Sequence, residues 1–166
     1  MSQRASRPLV FWAAAMVATG IDQITKLAIY QRLSGPWDII PGVLVLRPDQ
    51  NTGVVWGLFN RWPLAVFIIG ILAVALVTVY FLRQPQHAIL ESAAWGLIVG
   101  GAVGNLVDRA LVGHVKDFII VQFHGWSWPT FNAADTFITI GAILAIWYLS
   151  FAKRPKNTPE QDCASQ

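Results

Sequence analysis

Four stretches of this chain are apolar over about the length that crosses a bilayer: roughly Leu9 to Tyr30, Pro63 to Leu82, Ala88 to Val107 and Ala134 to Ala152. A helix rises about 1.5 Å per residue, so about 20 residues cover a hydrocarbon core of about 30 Å. With 55% hydrophobic residues and only 13% charged, the 166-residue chain is too apolar to hide in one soluble core. The expected fold is an all-α membrane protein of four transmembrane helices.

The spacing of the windows orders the chain across the membrane. Only "RQPQH" separates the second window from the third, whereas longer stretches rich in Gly, Pro, Asn and Trp follow the first and the third. Both long loops therefore lie on one side, and the short turn with the termini on the other. Arg4, Arg7, Arg83, Lys153, Arg154 and Lys156 all fall at those ends, which the positive-inside rule places in the cytoplasm. The excess of 12 basic over 9 acidic residues is thus a topology signal, with no basic stripe to suggest nucleic acid.

Residues 1–152 read as one compact domain without repeats, followed by a polar tail, 153–166, expected to be disordered. The single cysteine, Cys163, lies in that tail, so no disulfide framework is expected and a thiol there has no ordered surroundings. The basic, then apolar, N-terminus resembles a cleavable leader, but its helical pattern continues past Gly20 to Lys26, which favours a retained span.

In "WDIIPGVLVLRPDQNTGVVWGLF", β-formers flank a Pro41-Gly42 turn and Asn51-Thr52-Gly53 marks a second turn. This predicts a small sheet at the outer membrane surface, a β-rich extracytoplasmic loop domain. Trp62 in "FNRWPLAV" stands where interfacial aromatic belts form.

Ionisable residues near lipid demand a reason, because an Asp or Lys at the centre of a span costs about 2.5–3.5 kcal/mol on insertion scales. Asp22 and Lys26 stand at i and i+4, the spacing of an ion pair facing the bundle, and Asp22 is also placed to hold the Asn51 turn. In "GGAVGNLVDRALVGHVKDF" the glycines, with Gly96, allow close helix approach. Asn105, Asp108 and Arg109 then cluster where the third window ends, either as a solvated helix end or as a polar shell around a site.

Asp117 and Asp135 follow, in "VKDF" and "FNAAD". If the third and fourth helices are neighbours, both reach one membrane face, where two carboxylates in a partly desolvated pocket share a proton as an aspartic protease pair does. The plainer reading of Asp135 is stabilisation of a helix start, a role Asn132 also fits. The histidines His87, His114 and His124 are scattered, no metal spacing or phosphate loop is present, and the serines form no triad. A proton-coupled transporter also uses intramembrane Asp and Lys, but such proteins are expected to show repeats and broken helices at the midplane.

Taken in order, "DQITK", "NTGVVWG", "GGAVGNLVDR", "VKDF" and "FNAAD" resemble the bacterial lipoprotein signal peptidases, the signal peptidase II family. The resemblance implies a multi-pass protein of the bacterial cytoplasmic (inner) membrane with an outward-facing site. It implies Asp117 and Asp135 as the catalytic dyad, Asn51, Gly53, Asn105, Arg109 and Asn132 lining or supporting the site, and Asp22, Lys26 and Asp108 supporting structure. The implied reaction is cleavage of a prolipoprotein just before a diacylglyceryl-modified cysteine, in contact with membrane lipid, sensitive to globomycin and without cofactor. Two positions depart from the pattern: Val55, where a small residue is common, and Lys116, where an aliphatic one is. A cation at 116 is expected to favour the ionised form of Asp117.

Overall fold

The computed structural model describes residues 2–53, 59, 61–83 and 88–152, with side chains described from Arg7 to Phe151. Val55, His87, Cys163 and the tail 153–166 lie outside the described residues.

Each apolar window is a helix long enough to span: α1 Ser2–Arg32, α2 Pro63–Arg83, α3 Ile89–Val112 and α4 Ala133–Trp147, the last continued by a π turn over Tyr148–Ala152. The third is longer than its apolar window predicts. It runs past Val107 to Val112 and stops at Gly113, whose φ of 80° is the left-handed cap that glycine adopts without strain. Asn105, Asp108 and Arg109 are therefore inside the helix and not at its exit. Polar residues hid the last turn because they face protein partners instead of lipid.

α3 is the hub, packed along α1 and α4 and less extensively against α2. Its glycines permit this. Gly96 lies against Phe11 and Ala14, Gly100 against Ala15, and Gly101 against Ala134 and Ile138. A Cβ at Gly104 would stand 2.5 Å from Asp22 Oδ2, so only glycine leaves room for that carboxylate. At the far end of α1, Phe11 stacks on Phe81 with ring centroids 4.2 Å apart, and Val99 completes this small core. Outward faces carry bare apolar side chains such as Met16, Ile24, Ile69, Leu72, Leu76 and Ile146. So much exposed hydrocarbon suits lipid and would be a liability in water.

Four antiparallel strands form one sheet in the order β1 (Trp37–Ile40), β2 (Leu44–Asn51), β3 (Val115–Phe123) and β4 (Trp126–Ser127). Pairing of β2 with β3 breaks register between Leu46 and Asp49, where Pro48 has no N–H to contribute, and resumes with Asp49 opposite Asp117. The two-residue turn from β3 to β4 has positive φ at both His124 and Gly125, as tight hairpins require. Neither β3 nor β4 was legible as a strand: Phe118 to Val121 is continuously apolar and lacks the period-two alternation.

Candidate active site

Lys26 organises the polar end of the bundle. Its Nζ is 2.8 Å from Asp22 Oδ2, 2.8 Å from Asp108 Oδ2 and 2.9 Å from Asn105 Oδ1, three acceptors for three hydrogens, and all four side chains are buried. The i, i+4 pair of Asp22 with Lys26 is as the spacing predicts. Two expectations change. Asp22 does not hold the Asn51 turn; its Oδ1 accepts from Ala134 N at 2.9 Å and so anchors the first turn of α4. Asp108 pairs with Lys26 and accepts from Lys116 N at 3.1 Å, while its neighbour Arg109 points elsewhere. Adjacent residues on a helix face directions about 100° apart, so Asp108 and Arg109, neighbours in sequence, serve different partners.

Asn132 is the N-cap of α4. Its Oδ1 accepts from Asp135 N at 3.1 Å, and Asp135 Oδ2 accepts from Asn132 N at 3.2 Å, a reciprocal capping box. Asp135 therefore does serve the helix start, with Asn132 as the cap. Its other oxygen is free for a second role and accepts from Asn105 Nδ2 at 2.9 Å.

Asp117 stands on β3, 1% exposed, with Oδ1 accepting from Asn132 Nδ2 at 2.7 Å and Oδ2 from Asn51 Nδ2 at 3.0 Å. Asn132 Nδ2 also reaches Asn105 Oδ1 at 3.0 Å. A continuous ladder thus runs Asp117, Asn132, Asn105, Asp135, and the Lys26 ammonium orients the Asn105 amide so that its NH₂ faces Asp135. Burial first, and the charge of Asp135 second, push the Asp117 carboxyl up to about 7. Lys116 does not oppose this as expected: its ammonium lies over the Tyr30 ring, 5.9 Å from the centroid, and the cation that lowers Asp117 slightly is Lys26.

Both carboxylates line one cavity of about 820 Å³, together with Asn51, Asn105 and Arg109. The rest of its wall is mostly apolar, from α2 (Ala65, Ile69, Ala73), α3 (Ala102, Leu106) and α4 (Ile138, Ile140). Arg109 Nη2 donates to Gly53 O at 2.6 Å and Nη1 to Asn105 O at 3.5 Å, so one guanidinium ties the Asn51–Gly53 turn to α3. Asn51 Oδ1 closes that turn by accepting from Gly53 N at 3.0 Å.

Tyr30 escaped sequence reasoning. Its hydroxyl reaches the backbone carbonyls of Asp49 and of Asp117, the latter at 3.2 Å, and clamps α1 to both strands at the carboxylate. The signal was its place eight residues after Asp22 and four after Lys26, on the same helical face.

A membrane bundle that ends in a cavity holding two hydrogen-bonded carboxylates has the architecture of an integral membrane enzyme. Two solved bacterial membrane enzymes superpose on it, with TM-scores of 0.77 and 0.69 at 32% and 31% identity, each match covering 88% of this chain and 92% of the other. A family model described as signal peptidase (SPase) II matches residues 14–151. A lipoprotein signal peptidase of Symbiobacterium thermophilum is 37% identical over 147 residues, 84% of this chain and 93% of that protein. One from Staphylococcus aureus strain MRSA252 is 33% identical over 143 residues, 85% and 86% respectively. The chain belongs to the signal peptidase II family and is a multi-pass membrane peptidase.

Proposed function

We propose that this chain removes signal peptides from prolipoproteins as an aspartic endopeptidase, with Asp117 and Asp135 as the reacting pair and the scissile bond just before a diacylglyceryl-modified cysteine. The observation that carries the reading is the ladder from Asp117 through Asn132 and Asn105 to Asp135, which presents two carboxylates to one cavity of otherwise apolar walls. Acyl chains and the apolar signal peptide fit such walls, and a lipid-anchored precursor presents its scissile bond where the spans end.

With Asp117 at about 7, the pair holds a shared proton near neutral pH. One carboxylate takes a proton from water as the water oxygen bonds to the scissile carbonyl carbon, and the protonated partner donates to the carbonyl oxygen. The gem-diol then returns one hydroxyl proton to the carboxylate that has just given one up, the C–N bond breaks, and the departing cysteine nitrogen takes the proton that the other carboxylate drew from water. Arg109 lines the cavity, and its guanidinium holds the Gly53 carbonyl beside the pair.

The test is cleavage of a purified precursor by the detergent-solubilised enzyme. A diacylglyceryl-modified precursor is expected to be cut and its unlipidated form left intact, with globomycin blocking the reaction. Equal cleavage of both forms would remove the lipid from the recognition.

Arg109→Lys is expected to reduce kcat/KM roughly ten- to a hundredfold while the protein still accumulates, since a point charge cannot hold the Gly53 and Asn105 carbonyls together. Arg109→Ala should be worse. Undiminished cleavage by the Lys variant would show that the tie from α3 to the Asn51–Gly53 turn is not needed for activity.

The basic ends also predict cytoplasmic termini and an outward site in the bacterial inner membrane. A cysteine introduced at the exposed Ser127 suits a membrane-impermeant maleimide better than one at Gly125, whose φ of 82° a side chain strains. In intact spheroplasts Ser127→Cys should label and Cys163 should not. The reverse pattern would invert the topology.

A further inference from the structure

We propose that a second, polar recess next to the dyad binds the first residues of the mature polypeptide, those following the lipid-carrying cysteine, and that Arg47 selects acidic side chains among them. This rests on the peptidase reading above and adds where the other half of the substrate lies.

The recess holds about 430 Å³ and is lined by Arg47, Asp49, Asn51, Asp117, Ser127 and Thr130 among others. Every lining residue comes from β2, β3, β4 or the segment joining β4 to α4, and none from a spanning helix. The larger cavity has the opposite character, with walls built mainly by α2, α3 and α4. Asn51, Asp117 and the strap Trp128-Pro129-Thr130 line both, so the two spaces meet at Asp117 with the strap between them. Thr130 Oγ1 fastens the strap to β2 by donating to Asp49 Oδ2 at 2.9 Å.

A prolipoprotein has the same division at the same point. Acyl chains and signal peptide belong to lipid, whereas the chain after the cysteine is polar and leaves the membrane. An extended peptide advances roughly 3.3 Å per residue, so with its scissile bond at Asp117 the next two or three residues lie within reach of the recess. Of the charged groups there, Asp49 is already engaged through both oxygens, by Thr130 and by the Gln50 N–H. Arg47 is exposed and forms no ion pair among the described residues. Asp117 belongs to the dyad, which leaves the Arg47 guanidinium as the charged donor open to a substrate carboxylate.

Two measurements test this. A lipidated precursor carrying benzoylphenylalanine at the second or third residue after the cysteine is irradiated with the Asp135→Asn variant as a trap, and with Asp117→Asn as an independent one. Crosslinks are expected within 47–51 and 127–130; crosslinks confined to α2 and α4 would overturn the recess. Second, precursors with Asp or Lys at those positions are compared. The wild-type enzyme should favour Asp by roughly two- to fivefold in kcat/KM, through KM, as exposed ion pairs allow. Arg47→Glu should reverse the preference, and equal handling of both precursors by both enzymes would overturn the selectivity. Cleavage of a precursor with neutral residues there tests the peptidase reading separately, because it does not depend on Arg47.

Discussion

Asp117→Asn and Asp135→Asn, made separately, are each expected to lower cleavage of a diacylglyceryl-cysteine precursor by several orders of magnitude. Asn matches Asp in size, and at 135 it can still accept from Asn105 or from the Asn132 N–H, but it can neither take a proton from water nor share one with its partner. Because the two groups act as a unit, the double variant should be scarcely worse than either single one.

Folding and chemistry separate in this test. Asp117 has a pKa raised by the fold, so its contribution to stability is full below the ordinary carboxylate range and is lost as pH rises through about 7. Asp117→Asn removes that loss, though it also sets an NH₂ against the amide of Asn51 or Asn132, and these opposing effects leave a folded protein. Wild-type cleavage should itself decline above about pH 7, as the pair gives up its shared proton. Gel-shift assays across pH, beside thermal unfolding of each variant, measure both. A single Asn variant cleaving at near wild-type rate would remove that residue from the mechanism.

The second large effect is on stability. Lys26→Met leaves Asp22 and Asp108 buried against each other without their ammonium, and it frees the Asn105 amide that faces Asp135. Breaking a buried charge cluster at one member destabilises by about 3–5 kcal/mol, which for a chain of this size lowers Tm by roughly 10 °C. Activity should fall with it. Lys26→Met combined with Asp108→Leu should recover part of the loss, since apolar packing often replaces buried charge without penalty. A Tm for the single variant within about 1 °C of wild type would show that the cluster adds no stability.

Much of this site was readable residue by residue. The i, i+4 spacing identified the Asp22–Lys26 pair, the residue type of Asn132 its capping role, and the four glycines of "GLIVGGAVG" the close contacts of α3. What failed did so for one reason: spacing reports which residues share a face, not which foreign element that face meets. Asp22, besides pairing with Lys26, meets α4 and not the Asn51 turn; within the Asn105, Asp108 and Arg109 cluster, Asp108 meets Lys26 of α1; and the Lys116 ammonium lies over Tyr30 and not at Asp117.

Local chemistry was therefore enough for whatever depends on one segment at a time. Hydrophobic run length determines four spans, because the bilayer's thickness is external to the protein. Charge bias predicts their orientation, and motif order identifies the family. The tertiary structure alone decided that Asp117 is buried and held near 7, that Asn105 and Asn132 link it to Asp135, and that Tyr30 clamps its strand. Those properties arise where α1, α3, β3 and α4 converge from positions up to 112 residues apart, and burial and partner geometry exist only after that convergence.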